Sequence, residues 1–538
     1  MHDPNDRWWR IVSVLLVVCV TAVSVATIGD YGVTWDEEYR KEYGVVLLNW
    51  YSSWGADKEA LTKWNLYYIG GFFDTVAQLA TRFSPHGVYE TRHAVNTLFG
   101  LLGIAGTYGI GSQVAGAAGG FFSALFLVLT PAYYGQMFNN PKDIPFAALF
   151  AVSLFSMLRS VRFLPSLRRG IILQMGCTIG LTMGVRIAGI GLLAYLAILW
   201  VGWLVCQWWT KSIPNVQGVA RAALRLIPAF LAVAVLAWLV MLAVWPWAFV
   251  SPFRHPLEAL TRATGYDWPL TVFFDGRFIQ ASELPWTYLP TWLAISLPEF
   301  YFVALGTGCV LAGVGLPRFA RAPRRVKPPI ENLVLLIAAF APIIAAIVLH
   351  STIYDGLRQY LFVLPAFAAL AGISLARLLA ARIQVAARLA VVGVVGFSAT
   401  LTVFDMVDLH PYQYVYFNRL MAGGLESASA RFETDYYGAS YREGVRWLIE
   451  NYPTGTGEKV RVANPSRNFL TAYYLEANQE LRDRFLPVQP WDNPHIYISI
   501  TRWGFHKEKE GRLLHVVSRK GVPLLYVIEV RPPGTRSG

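Results

Sequence analysis

Long runs of apolar residues recur along the first three quarters of the chain. A helix needs about 20 mostly apolar residues to cross a bilayer. The runs of suitable length and composition are residues 11–29, 94–111, 114–134, 145–158, 170–185, 187–207, 226–249, 288–316, 331–350, 357–376 and 389–407. The pattern predicts a polytopic α-helical membrane protein with about 11 transmembrane helices, in a domain that spans residues 1–407.

The loops between these runs differ in charge from one side of the membrane to the other. If the N-terminus is cytoplasmic, the loops on that side are basic, as the positive-inside rule expects. Several Arg or Lys residues and no Asp or Glu occur in loops 159–169, 208–225, 317–330 and 377–388. Outside the N-terminal tail, the acidic residues then fall almost entirely on the external side, which has long loops at 30–93 and 250–287. We therefore predict a multi-pass protein with a cytoplasmic N-terminus.

The composition changes after residue 407, where charged residues become frequent. The segments HIYISI and PLLYVIEV alternate or accumulate β-branched and aromatic residues, which predicts strands. The segment YREGVRWLIENY has the spacing of a helix and is followed by Pro453. We expect residues 408–538 to form a small α/β domain outside the membrane, on the external side.

The overall composition excludes several classes of protein. Hydrophobic residues make up 55% of the chain, charged residues 15%, and the mean hydropathy is +0.41, whereas soluble domains carry about 25% charged residues. The net charge of +12 would suggest nucleic acid in a soluble protein, but the basic loops explain it here, so we expect no nucleic-acid partner. The four cysteines lie in apolar runs without a CxxC spacing, which indicates neither a disulfide framework nor a zinc site.

Three short external segments carry candidate chemistry. The first, WDEEYR, places Asp36, Glu37 and Glu38 directly after the first apolar run. Carboxylates at the membrane boundary could act as a base or bind a metal ion. The alternative is a solvated beginning of a loop.

The second segment, NNPKDIPF, contains Lys142 and Asp143 before the fourth apolar run. Asp143 and Pro145 are typical of a helix start, which leaves Lys142 unexplained. A lysine at a helix N-terminus on the external side suits a phosphate.

The third segment, YDGLRQY, contains Tyr354, Asp355 and Arg358 in a short loop. Arg358 could bind phosphate oxygens with its planar fork of donors. The alternatives are a local pair with Asp355 or an arginine that extends to lipid headgroups. Arg186, in GVRIAG, is a similar but weaker candidate.

The external loop around residues 265–288 is rich in aromatic residues. It contains the charged residues Asp267, Asp275, Arg277 and Glu283 among the aromatic residues Trp268, Phe273, Phe274 and Trp286. Aromatic side chains at a membrane boundary are ordinary interfacial residues. The alternative is a stacking surface for sugar rings.

The order of these features resembles that of the GT-C glycosyltransferases. A first span followed by the Asp-Glu pair of WDEEYR, a long first external loop, about eleven spans and an external C-terminal domain is closest to family 39, the protein O-mannosyltransferases and the lipid A aminoarabinose transferase. The segments NNPKDIPF and YDGLRQYLF are similar to segments of bacterial members. The resemblance implies a bacterial inner-membrane enzyme whose C-terminal domain is periplasmic.

The resemblance also implies a reaction and a set of roles. An inverting glycosyltransferase of this kind moves a sugar from a polyprenyl-phosphate carrier to an acceptor hydroxyl on a lipid, a glycan or a protein. Asp36 would be the general base and Glu37 would orient it, the acceptor or a divalent ion. Lys142, Arg358 and, in reserve, Arg186 would hold the departing phosphate. Asp143, Tyr354, Asp355 and Trp286 complete the expected substrate-binding residues. Family members differ in their need for a metal, so a divalent ion stays open and unassigned.

Two other functions compete with this one. A transporter or flippase of a lipid-linked sugar would place ionisable groups midway along its spans and show internal repeats; the spans are nearly free of acidic residues and no repeat is evident. A membrane scaffold that only presents the C-terminal domain would leave the three charged segments more than ~15 Å apart, too far to share a site.

Overall fold

The computed structural model describes residues 6–213, 215–264, 268–321, 330–453, 458–465 and 468–530. Asp267, part of the basic loop 317–330, and residues 454–457, 466–467 and 531–538 of the predicted C-terminal domain lie outside these ranges.

Helices account for most of the first 408 residues. In chain order they are α1 (Asp6–Thr27), α2 (Glu37–Ser52), α3 (Phe72–Thr81), α4 (Val88–Val128), α5 (Pro131–Gln136), α6 (Asp143–Ser160), α7 (Arg169–Val185), α8 (Gly191–Trp209), α9 (Val216–Ala243), α10 (Pro246–Val250), α11 (Arg254–Thr264), α12 (Tyr288–Ser296), α13 (Glu299–Arg321), α14 (Ile330–Val348), α15 (Leu364–Ala380) and α16 (Val385–Asp408). A 3₁₀ helix, Arg358–Val363, leads directly into α15.

Helix α4 is a hairpin of two arms. Its backbone leaves the helical conformation at Ala115 and Gly116, where φ is −135° and +70°. A side chain at Gly111 would collide with the carbonyl oxygen of Gly119, although residues this far apart in a straight helix are separated by about 12 Å along the axis. The arms therefore pack side by side, and they correspond to the predicted runs 94–111 and 114–134.

The membrane character of the chain follows from its long apolar helices. Within the described ranges, eight helices are long and apolar enough to cross a membrane, or up to nine if the pair α12 and α13, bent by 105°, forms one span. This count takes α4 as one helix and omits α7, which has 17 residues. Every predicted run coincides with a helix, an arm of α4 or the bent pair, so the prediction of a polytopic helical membrane protein is confirmed.

The helices divide into a central and a peripheral set. The apolar window of α15 is 89% buried and that of α6 is 78% buried, whereas the values are 17% for α1 and 22% for α9. Helices whose apolar side chains stay uncovered by protein face lipid in a membrane. The segments NNPKDIPF and YDGLRQY therefore lie at the N-terminal ends of the two central helices.

The long loops contribute small elements at the end of the bundle where α6 and α15 begin. α2 and α3 come from the first long loop. The second contains the antiparallel hairpin of β1 (Thr271–Phe274) and β2 (Arg277–Gln280).

The C-terminal region contains short helices and a mixed sheet. Its elements are α17 (Arg419–Ala422), α18 (Gly424–Ser429), α19 (Tyr441–Asn451), β3 (Val460–Ala463), α20 (Phe469–Leu475), α21 (Gln479–Arg484), β4 (Phe485–Pro487), β5 (Ile496–Ile500), β6 (Gly511–Arg519) and β7 (Val522–Val530). The strand order is β4-β3-β5-β7-β6, with β3 parallel to both neighbours and the pairs β5–β7 and β6–β7 antiparallel. The predicted strands and the predicted helix are β5, β7 and α19.

The sheet is fixed to the membrane helices through the turn between β6 and β7. Arg519 pairs with Glu443 of α19 at 2.6 Å. Lys520 pairs with Asp405 and, at 3.4 Å, with Asp408, both in the last turn of α16. These contacts hold the C-terminal region over the end of the bundle where the charged segments lie.

Candidate active site

The three charged segments meet at the carboxylate of Asp36. One oxygen of Asp36 lies 3.1 Å from Nζ of Lys142, 2.9 Å from a guanidinium nitrogen of Arg358 and 3.4 Å from the hydroxyl of Tyr437. Lys142 and Arg358 are 106 and 322 residues away from Asp36 in sequence. The scaffold hypothesis, which expected these segments to stay apart, is therefore wrong.

Local structure explains why these side chains point at one another. Asp36 and Lys142 immediately precede α2 and α6, and neither makes a side-chain cap hydrogen bond to its helix. Arg358 begins the 3₁₀ helix before α15. The charged ends of Asp36 and Lys142 are thus free of the helix backbone and available to each other. The helix N-termini add positive potential around the carboxylate.

Arg358 lies at the centre of three carboxylates. Its guanidinium contacts Asp36 at 2.9 Å, Asp355 at 3.0 Å and Asp143 at 3.6 Å. The Arg358 side chain is only 2% exposed. A planar guanidinium has donors on three sides, and here each side faces an acid. Arg358 therefore holds the three acidic groups in fixed relative positions.

Asp143 connects the site to Arg186. Its carboxylate pairs with Arg186 and accepts a hydrogen bond from the side-chain amide of Asn140 at 3.0 Å. Asn140 also accepts from the backbone N–H of Asp143 at 2.9 Å. The Arg186 side chain remains 22% exposed and the Lys142 side chain 11% exposed. These two cations are more accessible than Arg358.

Glu37 is buried and is engaged away from Asp36. Its carboxylate accepts from the backbone N–H and the hydroxyl of Thr34, at 2.8 and 3.0 Å, and lies 2.8 Å from Nε2 of His93. These contacts fix the turn that carries Asp36 at the start of α2. Glu38, the third acid of the segment, pairs with Lys41 and contacts the hydroxyl of Tyr89.

The charges around Asp36 set its protonation state. Burial alone would raise the pKa of Asp36, but the Lys142 ammonium and the Arg358 guanidinium hold it well below the usual range of a carboxyl group. Burial lowers the pKa of Lys142, an effect that Asp36 opposes. Asp36 is therefore ionised, and its lone pairs are occupied by cations.

A cavity of about 990 Å³ opens beside these charges. One wall is apolar and comes from α6, α8 and α14, with Phe146, Phe150, Tyr195, Ala341 and Ala345. A second set of lining residues is aromatic and includes Trp35, Tyr39, Trp64, Trp268, Tyr354 and Trp503. The charged groups lie beside both sets of lining residues. Arg186 lies 5.9 Å from the ring centroid of Phe146, and Arg358 lies 5.7 Å from that of Tyr354.

Of the remaining predicted substrate-binding residues, some lie at the site and one lies away from it. Tyr354 lines the cavity and stacks on Trp268 with the ring centroids 4.2 Å apart. Asp355 is buried between two arginines. Trp286 is 70% exposed and is not among the cavity residues, so the structure does not bring it to the site. Asp275 pairs instead with Arg431 on the surface.

Arg502 is a site residue that the sequence analysis missed. It follows β5, its side chain is 3% exposed, and it pairs with Asp355 on the side opposite Arg358. It also donates to the carbonyl oxygen of Tyr436 at 2.7 Å. Glu433 lies 3.6 Å from Arg502, and its burial raises its pKa to about 7 despite that arginine. No charge pattern in the sequence separates Arg502 from the many arginines of the C-terminal region.

Tyr437 is the second missed residue, in the segment ETDYYGAS. The Asp435 carboxylate accepts from the backbone N–H groups of Tyr437 and Gly438, at 3.2 and 2.7 Å, and from that of Ser440 at 3.1 Å. This turn presents the Tyr437 hydroxyl to Asp36. The density of hydrogen-bonding residues in the segment was a usable signal for a structured turn.

Potential metal ligands are sparse in the part of the chain that the structure describes. No group of three or more His, Cys, Asp or Glu side chains there could hold a metal ion. The cations Lys142, Arg186 and Arg358 occupy the positions around the carboxylates instead.

No protein-family model and no curated protein matches the chain. Solved structures are similar to it over most of its length. ArnT from Cupriavidus metallidurans bound to undecaprenyl phosphate is 18% identical, with 98% of both chains covered and a TM-score of 0.48. The oligosaccharyltransferase AglB from Archaeoglobus fulgidus, in complex with an inhibitory peptide and a dolichol-phosphate, is 13% identical, with 93% of this chain and 70% of that chain covered and a TM-score of 0.47.

Proposed function

We propose that this chain is an inverting glycosyltransferase of the GT-C type, which moves a sugar from a polyprenyl-phosphate carrier to an acceptor hydroxyl. One observation carries the proposal: the Asp36 carboxylate lies 3.1 Å from Lys142, and both line, together with Arg186, a cavity whose neighbouring wall is apolar. A base, cations for a phosphate and a surface for a lipid chain are the parts that this reaction requires.

The donor would lie along the apolar wall. Side chains of α6, α8 and α14, among them Phe150 and Tyr195, suit an isoprenoid chain. Its phosphate would then reach Lys142 and Arg186, the two more accessible cations. Arg358, expected from the sequence to bind the donor phosphate, is occupied by three carboxylates. Its role in this proposal is to position Asp36 and Asp143.

The reaction follows from these positions. Asp36 takes the proton of the acceptor hydroxyl, and the oxygen attacks the anomeric carbon from the face opposite the phosphate. The new C–O bond forms as the bond between the anomeric carbon and the phosphate oxygen breaks, which inverts the configuration. Negative charge grows on the departing phosphate, where Lys142 and Arg186 stabilise it. Glu37 supports the reaction indirectly, by fixing the turn that carries Asp36.

Donor binding also activates the base. In the free protein, Lys142 neutralises Asp36 and makes it a weak base. A phosphate that attracts the Lys142 ammonium reduces this pairing, so the pKa of Asp36 rises toward the range in which a carboxylate accepts protons effectively. The donor would thus prepare the site for the acceptor.

This coupling predicts a difference between two pH profiles. The profile of kcat/KM for the donor reports the free enzyme, and that of kcat reports the bound complex. Asp36 must be ionised, so activity is present above its pKa and is lost as the pH falls through it. Removing one close cation raises a carboxyl pKa by about 1 to 3 pH units. We expect the acidic limb of kcat at a higher pH than that of kcat/KM by about this amount. Coincident limbs would contradict the coupling.

The two accessible cations should determine donor affinity. A hydrogen bond to a charged group contributes about 1.5–3 kcal/mol, which corresponds to about 10- to 100-fold in affinity. We expect Lys142→Met and Arg186→Met each to raise the KM of the donor by that factor in proteoliposomes. Lys41→Met is the matched control, because Lys41 pairs with Glu38 and does not line the cavity. Equal donor KM values in all three variants would exclude this phosphate site.

The function itself is tested by transfer of label. Purified protein in proteoliposomes is incubated with polyprenyl-phosphate carriers bearing radiolabelled sugars and with a membrane extract as the source of acceptor. We expect the label to leave the carrier for a new product, with release of polyprenyl phosphate. If the carrier and its label only redistribute between leaflets, the chain is a flippase and the proposed reaction is wrong.

The proposal includes a place in the cell. A cytoplasmic N-terminus and a periplasmic C-terminal region in the bacterial inner membrane would put Asp36 at the external leaflet, in agreement with the basic loops. The bilayer and the carrier are then obligatory partners, and a lipid, a glycan or a protein supplies the hydroxyl.

A further inference from the structure

Several residues with an unfavourable backbone conformation line the cavity. Four of its lining residues that are not glycine have a left-handed backbone: Trp64 with φ 45°, Asn65 with φ 60°, Asp355 with φ 59° and Trp503 with φ 53°. Such a conformation costs about 1–3 kcal/mol and persists where the surroundings enforce it, which is typical of functional sites. Aspartate and asparagine tolerate it better than tryptophan does. Trp64 and Trp503 therefore adopt a backbone conformation that is unfavourable for tryptophan, and the surrounding structure must enforce it.

Three of the cavity's tryptophans gather around one cation. The Arg502 guanidinium lies 5.6 Å from the ring centroid of Trp35, 5.8 Å from that of Trp268 and 4.2 Å from that of Trp503. Trp268 in turn stacks on Tyr354. We call Trp35, Trp268, Tyr354 and Trp503 the aromatic wall. Its members come from four distant segments, so Arg502 acts as a positioning residue that brings them together.

Two indole N–H groups of the aromatic wall donate hydrogen bonds to the backbone. That of Trp35 donates to the carbonyl oxygen of Tyr436 and that of Trp503 to the carbonyl oxygen of Thr271, both at 2.8 Å. These bonds fix each ring, and both residues line the cavity. Rigid, pre-oriented rings lose little entropy when a ligand binds.

We propose that the aromatic wall is the subsite for the acceptor and that it binds a saccharide ring. The inference rests on the proposed function and names the acceptor class for the same site. One face of a pyranose ring presents C–H groups that stack on the electron-rich face of an indole. Trp35 and Asp36 line the same cavity, and the Arg358 guanidinium that contacts Asp36 at 2.9 Å lies 5.7 Å from the Tyr354 ring centroid, so a sugar on the wall has a hydroxyl near the base. The polar side chains of Asn65 and Gln359 also line the cavity and suit the remaining hydroxyls.

The other acceptor classes fit this wall less well. A lipid chain is better matched by the apolar surface of α6, α8 and α14. One way to hold a peptide acceptor is through its backbone at an open strand edge, whereas the wall consists of side chains. Transfer to a protein side chain is therefore the outcome that would count against a saccharide acceptor.

The experiment combines product identification with a change in the wall. Trp503→Gly removes a ring while suiting the left-handed backbone, since glycine adopts φ 53° without strain. Trp503→Phe keeps an aromatic face. Trp491→Ala is the matched control, because Trp491 is 74% exposed in the same region and does not line the cavity. Each variant is reconstituted with labelled polyprenyl-phosphate sugar and increasing membrane extract, and binding of undecaprenyl phosphate is measured separately.

We expect wild-type label to be linked to another sugar residue, as shown by linkage analysis of the product. Trp503→Gly should raise the extract concentration for half-maximal transfer at least 10-fold while undecaprenyl phosphate binds as in the wild type. For Trp503→Phe, this concentration should lie between those of the wild type and of Trp503→Gly. For Trp491→Ala, it should equal that of the wild type. Label on a protein side chain, or an unchanged Trp503→Gly variant, would overturn the saccharide subsite alone. A wild type that transfers no label would overturn the proposed function as well.

Discussion

Replacing Asp36 by asparagine is expected to abolish sugar transfer while leaving the protein folded. The substitution preserves shape and removes the carboxylate that we propose takes the acceptor proton, and general base catalysis contributes about 10²- to 10⁴-fold to a rate. We expect a loss of that size in initial rates measured in proteoliposomes. Folding should survive because Arg358 keeps Asp355 and Asp143 as partners. Thermal unfolding in detergent checks this point.

A neighbouring acid provides the control for this result. Glu38→Gln changes another carboxyl of the same segment, one that pairs with Lys41 and does not line the cavity. It should retain most of the activity. An Asp36→Asn protein that transfers sugar at the wild-type rate would remove Asp36 from the role of base, whatever its contacts.

Replacing Arg358 by glutamine is expected to cost both activity and stability. The substitution leaves three acidic side chains without their shared cation, and two of them, Asp143 and Asp355, are buried. Removing one partner of a buried ion pair costs about 3–5 kcal/mol. We expect the unfolding temperature in detergent to fall sharply and transfer to be lost. Arg358→Lys should restore only part of the stability, because an ammonium lacks the planar fork that reaches three carboxylates.

Arg377 is the control for position along the helix. It lies in the last turn of α15, far from the N-terminal end that Arg358 precedes, and contacts the side chain of Asn332. Arg377→Gln should leave both the unfolding temperature and the transfer rate close to wild type. A stable, active Arg358→Gln protein would show that the three acids do not depend on one another through this cation.

Much of the fold could be predicted because the bilayer restricts what a sequence can do. A span must be a helix of limited length with its charges at the ends, so each apolar run identified in the sequence corresponds to a helix. The same restriction placed Lys142 and Arg358 at helix ends on one side. Asp36 directly follows the first span, so it was expected on the same side as these two cations.

The errors have equally physical causes. The resemblance implied that Glu37 orients Asp36, the acceptor or a divalent ion; its carboxylate contacts Thr34 and His93 and fixes the turn that carries Asp36. Trp286 could not be told from Trp268 by sequence, since both lie in one aromatic loop. Only tertiary packing decides which of them enters the cavity.

Arg502 could not be predicted because its significance is purely three-dimensional. It contributes through Asp355, a residue of a different segment 147 positions earlier. Two acids pair with Arg502: Asp355, which precedes α16 in sequence, and Glu433, which follows it. Patterns of spacing within one segment do not contain such a relation.

The late position of Arg502 has a consequence for how the protein is made. All the membrane helices leave the ribosome and enter the bilayer before this arginine is synthesised, so for a time Asp355 is without its second cation and the tryptophans have nothing to gather around. Under the proposed function, a chain that ends before Arg502 would be inserted without the cation that positions the aromatic wall, so sugar transfer would begin only after translation has passed this residue.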